Sequence, residues 1–188
     1  MRGRLEYRNG EQITGNSKIF VPEKADYTFV STDTHVDSTV KLGGKVVTQY
    51  GFTSEAPKSI ETPDCKATIP QATACAALPV IQLHYRMDTS LLNEVAAGSR
   101  STIALDASRA QGFTGDSRMA GAKFSVSYDD GATWKSVDVD RADDNSFKAR
   151  FTNAKLSGSN GYVSIKAEVW DKAGNRTVQT VTRAYALK

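Results

Sequence analysis

The stretch 124–134, with the sequence FSVSYDDGATW, constrains the fold of this chain more than any other segment. Phe124, Val126 and Tyr128 alternate with serines, which is the period-two pattern of a half-buried strand. The acidic pair and the glycine that follow are turn residues, and strand-like residues resume after them. The stretch therefore predicts a β-hairpin. The residues expected to hold its turn are Ser127, Asp129, Gly131, Thr133 and Trp134.

Further segments in the second half of the chain show the same alternation of apolar and polar residues. They lie at 103–107, 147–151 and 163–169, and 177–187 adds a last strand rich in β-branched residues. Turn residues separate them, and Asp171, Gly174 and Asn175 form a further predicted structural turn. This spacing favours an immunoglobulin-like or fibronectin type III-like β-sandwich over 91–188, with 91–97 as its one candidate for a short helical turn.

The first half of the chain also predicts only strands. A strand at 5–8 runs into Asn9-Gly10, a pair that favours a tight hairpin turn, and further strands are predicted around 19–21, 27–29 and 46–52. The segment 78–85 has strand character and is expected to complete this sheet. We therefore predict an all-β protein of two β-sandwich modules, 1–90 and 91–188.

The long segment at about 54–77 is rich in proline and small polar residues and is predicted to be a loop of the first module. It holds both cysteines, Cys65 and Cys75, without the histidine or further cysteine that a zinc site needs. A disulfide across the loop is the simplest pairing and favours an exported protein, whereas two unpaired thiols are the alternative.

Composition excludes several classes of function. The 188 residues carry a net charge of +3 with acidic and basic residues interspersed, so nucleic acid is not expected as a partner. No apolar run is long enough to span a bilayer. Met1-Arg2-Gly3 is not followed by the apolar core of a signal peptide, so we expect a soluble chain that is either cytosolic or missing its leader.

A cluster of acidic residues follows the predicted hairpin turn and raises the question of calcium. The spacing matches no EF-hand loop, and solvated turn aspartates are far commoner than ligands. No metal site and no cofactor is predicted, with calcium as the open alternative. The acidic residues are Asp129, Asp130, Asp138, Asp140, Asp143 and Asp144.

Enzymatic chemistry finds little support in the sequence. A serine hydrolase needs a histidine base, and the two histidines, His35 and His84, occur without a Gly-x-Ser-x-Gly elbow. No catalytic residue is predicted. Exposed aromatic residues at Trp134, Tyr162 and Trp170 are instead candidates for a carbohydrate or peptide platform, the alternative being that they cover a sheet edge or dock against the first module.

The order of these motifs resembles a known family. The pattern Ser-x-Asp-x-Gly-x-Thr-Trp at 127–134 is an Asp box, a hairpin-stabilising turn in its families. It is followed by a strand at 163–166, an Asp-x-x-Gly-Asn turn at 171–175 and Arg-Ala-Tyr at 183–185. This order resembles the C-terminal, non-catalytic β modules of secreted bacterial subtilisin-like serine peptidases. The segments 3–13, 50–55 and 78–92 are similar to the preceding module of those proteins.

The resemblance implies a function without supplying a catalytic residue, because the subtilisin-like catalytic domain is absent from this sequence. It implies a monomeric, secreted accessory region that serves stability, spacing or substrate docking, with its own upstream catalytic domain as partner. A stand-alone extracellular module that binds cell-surface polysaccharide or protein is the alternative.

Overall fold

The structure, a computed structural model, describes residues 1–14, 21–35, 37, 39–61 and 74–188. This described part is all-β, with twelve strands and one short 3-10 helix, Leu156–Gly158. No helix in it is long and apolar enough to cross a membrane. The strands are β1 (Arg2–Arg8), β2 (Glu11–Gln12), β3 (Ala25–Thr34), β4 (Lys45–Ser54), β5 (Ile81–Met87), β6 (Glu94–Val95), β7 (Arg100–Arg109), β8 (Met119–Ser127), β9 (Lys135–Arg141), β10 (Ser146–Thr152), β11 (Tyr162–Asp171) and β12 (Arg176–Leu187).

The strands form one open sheet path in which neighbouring strands are antiparallel. Their order is β2-β1-β3-β4-β12-β11-β8-β9-β10-β7-β5. The short β6 lies off this path and pairs in parallel with the end of β12. The all-β prediction is confirmed.

The first predicted hairpin turn is also confirmed. Asn9 and Gly10 have φ angles of 50° and 85°, the left-handed values that a tight two-residue turn requires. The turn sets Tyr7 opposite Gln12, so β1 and β2 form the expected hairpin. The strand predicted around 19–21 falls largely on 15–20, which lie outside the described residues.

The main hydrophobic cluster is built from the alternating segments of the second half of the chain. All four apolar positions of β11, at 163, 165, 167 and 169, are buried, together with Phe124 and Val126 of β8. Residues of β5, β7, β10 and β12 join the same cluster. Period-two alternation in the sequence therefore identified the buried faces of β7, β8, β10 and β11 correctly.

Strand β9 explains how distant strands on the sheet path come to share this cluster. Its first half, 135–137, pairs with β8, whereas its second half, 138–141, pairs with β10. The sheet therefore turns over at β9, and β10, β7 and β5 pack against β8, β11 and β12. Arg141 closes the widening gap between β8 and β9 by donating hydrogen bonds to the carbonyls of Met119 (3.0 Å) and Ala120 (2.7 Å).

Strand β5 departs from the sequence prediction. The expectation that 78–85 completes the sheet of the first module is wrong, because β5 pairs with β7 and Ile81 is buried in the main cluster. Alternation in a sequence shows which side chains are buried but not which strand is the neighbour. The module boundary predicted near residue 90 therefore falls between two strands, β5 and β7, that are hydrogen-bonded to each other.

The segment 91–97, the one candidate for a short helical turn, is not helical. The hydroxyl of Ser90 accepts the N–H groups of Leu92 and Glu94, and Asn93 has a φ of 55°. These local hydrogen bonds and the left-handed residue end any helical path, and β6 follows.

The first half of the chain joins the second through β4, which pairs with β12 along seven consecutive residue pairs from Arg176 opposite Gly51 to Thr182 opposite Lys45. A smaller hydrophobic cluster of Ala25, Tyr27 and Phe52 lies on β3 and β4. Its aromatic rings stack at a centroid distance of 5.7 Å between Tyr27 and Phe52. The described residues therefore form two hydrophobic clusters on one continuous sheet.

We expect the substitution Tyr185→Phe to lower the free energy of unfolding by about 1–2 kcal/mol. The buried Tyr185 hydroxyl donates to Asn153 Oδ1 at 2.8 Å, and removing it leaves a buried oxygen unpaired. Urea unfolding measures this decrease in the free energy of unfolding. The control is Tyr162→Phe, because the half-buried Tyr162 hydroxyl makes no hydrogen bond to the described residues. Equal effects of the two substitutions would contradict this account.

Candidate functional site

The Asp-box turn is held together by its own side chains. Asp129 Oδ1 accepts hydrogen bonds from Ser127 Oγ (2.7 Å) and from the Thr133 N–H (2.9 Å). Gly131, at a φ of 94°, donates its N–H to Ser127 Oγ at 2.8 Å. The Thr133 hydroxyl, followed by the Thr133 N–H and Ser127, lowers the pKa of Asp129 to about 2. The Asp129 carboxylate is therefore ionised and stabilises the turn through these hydrogen bonds.

The second aspartate of the box connects the hairpin to the last strand. Asp130 accepts two hydrogen bonds from the Arg183 guanidinium, at 2.9 and 2.7 Å, and these lower the pKa of Asp130. Both residues have left-handed φ angles, 59° and 54°. The backbone of Arg183 also accepts the Gly43 N–H (2.9 Å), so one residue joins β12, the Asp box and the turn before β4.

The turn at 171–175 is buried at its two ends, Asp171 and Asn175, and Asp171 is ion-paired. Asp171 accepts the N–H of Asn175 at 2.9 Å and its side-chain amide at 2.7 Å. Arg109 of β7 donates to the same carboxylate, and the two side chains of this ion pair are 5% and 6% exposed. The Arg109 guanidinium also covers the Phe113 ring at 4.7 Å. Gly174, with a φ of 87°, completes the turn.

The three predicted platform residues lie along the outward face of β11, and each is paired with a cation. Tyr162 and Trp170 belong to β11, and Trp134 lies over Lys166 of the same strand at 4.6 Å. Lys123 is 5.5 Å from the Trp170 ring centroid, and Arg183 is 4.5 Å from that of Tyr162. Positions 162, 166 and 170 share one face because each is an even number of residues apart.

Glycines let both tryptophans lie flat against the sheet. A Cβ atom at Gly121, which is opposite Trp170 in β8, would come within 2.5 Å of the indole. A Cβ at Gly131 would come within 3.2 Å of Trp134. The outward face of β11 therefore carries a row of aromatic rings with cations on them, which we call the aromatic–cation row. Such a row suits ligands that combine flat apolar faces with negative charge.

A polar cavity of about 250 Å³ adjoins this row where β9 separates from β10. Tyr128, Val137, Phe151 and Arg150 line it, and a neighbouring cavity of about 200 Å³ reaches Trp134. A larger, more apolar cavity of about 440 Å³ lies between 21–22, 54–57 and 74–78, next in sequence to segments outside the described part of the chain.

Four of the six acidic residues considered as calcium ligands bind other partners. Asp129 and Asp130 are held as described, Asp140 is ion-paired with Arg150, and Asp143 accepts the Asn145 N–H at 2.9 Å. Within the described ranges no group of three or more candidate ligands is close enough together to hold a metal. Calcium binding stays an untested alternative.

The two histidines lie far from each other on the sheet path. His35 follows β3, and its N–H donates to Gly44. His84 of β5 lies within 3.1 Å of the Ser108 hydroxyl, with Asp106 directly across from it on β7. The Asp106 carboxylate, however, accepts hydrogen bonds from Ser146 (2.6 Å) and Arg86 (3.0 Å). Sequence reasoning missed this Ser–His pair because only the strand register brings it together.

Of the two cysteines, Cys65 lies outside the described residues, so the disulfide with Cys75 stays a prediction. The Cys75 N–H donates to the Ser59 carbonyl at 3.1 Å, which joins the two ends of the loop.

No family model matches this chain, and a search of curated proteins found no significant match.

We expect Asp171→Asn to lower the free energy of unfolding by about 3 kcal/mol or more, because it leaves the buried Arg109 charge unpaired. Asp116→Asn is the matched control, since Asp116 pairs with Arg118 while both side chains are more than half exposed. Urea unfolding monitored by tryptophan fluorescence compares the two variants. A loss at position 171 no larger than that at position 116 would contradict the assigned role.

Proposed function

We propose that this chain is a non-catalytic accessory region of a secreted subtilisin-like serine peptidase. The proposal rests on one observation: the sequence motifs that resemble this family are connected to the rest of the fold by side-chain ion pairs. Arg183 of the terminal Arg-Ala-Tyr binds Asp130 of the Asp box, and the Asp-x-x-Gly-Asn turn is locked to β7 by Arg109. Motifs that act as one structural unit are expected to occur together and in a fixed order, as they do in that family.

In this proposal the region is extracellular, needs no cofactor and works as a monomer beside its own upstream catalytic domain. The finer fold belongs to the same proposal: an immunoglobulin-like β-sandwich in the second half, preceded by a second β module. The parallel pairing of β6 with β12 and the packing of β5, β7 and β10 against β8, β11 and β12 support it. A Cys65–Cys75 disulfide fits an extracellular location.

Three measurements test the accessory role. The coding sequence immediately upstream of residue 1 is expected to encode a subtilisin-like domain. A signal peptide joined directly to Arg2 would contradict the proposal. The isolated chain is expected to hydrolyse casein no faster than buffer does. A parent protease that lacks 1–188 is expected to lose either thermal stability or activity on large substrates, while its activity on short peptides is retained.

A second candidate function is binding of cell-surface polysaccharide, favoured by the aromatic–cation row. Its three rings are partly exposed, and the cations beside them suit the negative charge of many cell-wall polymers. Elsewhere on the chain acidic and basic residues are interspersed, whereas this row brings three cations together with three aromatic rings.

The second candidate predicts that the chain sediments with purified Gram-positive cell walls. We expect Trp134→Ala and Trp170→Ala each to weaken this binding about fivefold, the equivalent of about 1 kcal/mol. Leu156→Ala, which changes an exposed apolar residue outside the row, is the control. No sedimentation of the wild-type chain would exclude this function and leave the accessory role standing.

A further inference from the structure

Strand β5 ends the sheet with an unpaired edge. Within the described part of the chain its only sheet partner is β7. The Ile81 carbonyl points away from β7, since it accepts the Thr177 hydroxyl of β12 at 2.7 Å. Backbone groups alternate sides along a strand, so those of Leu83, Tyr85 and Met87 also point away from β7. Among the described residues, none donates a hydrogen bond to them or accepts one from them on that side.

This edge lacks the features that usually protect edges. β5 contains no proline and pairs with β7 without a bulge. The strand at the other end carries charged side chains, with Arg2 and Arg4 ion-paired, and is partly covered by β2. The side chains at 83, 85 and 87 of β5 are apolar or aromatic and half-buried, and the exposed Leu91 and Leu92 follow the strand.

The sheet opposite β5 extends beyond it. The Thr177 bond places β12 across from β5, and β4, β3 and β1 continue the sheet on the side to which the β5 edge points. Tyr50 lies opposite Thr177 and Phe29 opposite Tyr50, so both share the face that looks toward β5. Both are half-buried, as is Val46. The floor is not purely apolar, because Thr48 lies between Val46 and Tyr50 and the Arg4 guanidinium covers the Phe29 ring at 5.3 Å. The β5 edge thus stands beside a floor of apolar and polar side chains, and we call this arrangement the β5 ledge.

We propose that the β5 ledge binds a single extended segment of another polypeptide by strand addition. An extended backbone supplies the alternating donors and acceptors that Leu83, Tyr85 and Met87 lack. Apolar side chains at every second position of the segment lie beside Leu83 and Tyr85 of β5. Acidic side chains between them lie beside His84 and Arg86, both exposed, of which Arg86 also pairs with Asp106.

A second copy of the chain does not fit this edge. Pairing of β5 with β5 of another copy would place the sheets of both copies in the same layer, and each sheet extends four strands, β4, β3, β1 and β2, past its own β12. The two extensions would collide. The ledge therefore selects a segment without a sheet of its own. The proposal does not depend on whether the chain belongs to a protease.

Amide hydrogen exchange tests the premise. In the free protein we expect fast exchange at Leu83, Tyr85 and Met87 and slow exchange at Gln82, His84 and Arg86, whose N–H groups face β7. Equal protection of the two sets would overturn the proposal, because the edge would then be paired.

Binding is tested with the peptide Ac-Glu-Val-Glu-Ile-Glu-Val-Glu-NH₂ at concentrations up to about 1 mM. We expect it to shift the amide signals of β5 and to slow exchange at 83, 85 and 87. The apolar residues of the peptide lie opposite Leu83 and Tyr85, so their N–H groups face β5. Methylating those amides should weaken binding at least about tenfold, whereas methylating the glutamate amides should not.

A protein variant provides the reciprocal test. Leu83→Pro removes an edge-facing N–H and spares the ladder to β7, so we expect a folded protein that binds the peptide at least about tenfold more weakly. Its amide spectrum reports folding, and the methylated peptides give the answer if it does not fold. The proposal fails if no peptide binds, or if both methylated peptides bind like the parent.

Discussion

Strand β12 is the constraint on which the rest of the structure depends. It pairs with β11 on one edge and with β4 on the other, and its end pairs with β6. Thr177 at its start also bonds to β5 across the main hydrophobic cluster. Because a central strand satisfies its backbone groups on both sides, its position fixes both halves of the chain relative to each other. Arg183, in the same strand, adds the connection to the Asp box.

The ionic contacts fall into two groups with different consequences. The Arg109–Asp171 pair is buried and hydrogen-bonded to its surroundings, so loss of one partner leaves a charge without water. The Asp130–Arg183 pair is partly exposed, and its importance is geometric, since it holds two residues with left-handed backbones in place. The first pair stabilises the fold, and the second positions the surface on which Tyr162 and Trp134 lie.

Predictions from the sequence succeeded where they rested on local chemistry. Alternation identified the buried faces of β8 and β11, and Asn9-Gly10 identified the first hairpin. They failed for β5, whose alternation is the same whichever strand is its neighbour, and for 91–97, where a serine hydroxyl and Asn93 favoured a turn over a helix. The cations on the platform aromatics were not foreseen, because Lys123, Lys166 and Arg183 reach those rings only through strand register.

The sequence by itself determined an all-β protein, its turns and the buried side of most strands, because period-two alternation and turn residues act over a few neighbouring positions. Only the tertiary structure decided that β4 pairs with β12, that β9 changes partners and that one edge of β5 has no partner strand among the described residues. Strand order depends on contacts between residues that are far apart in the chain, and those contacts leave no local pattern.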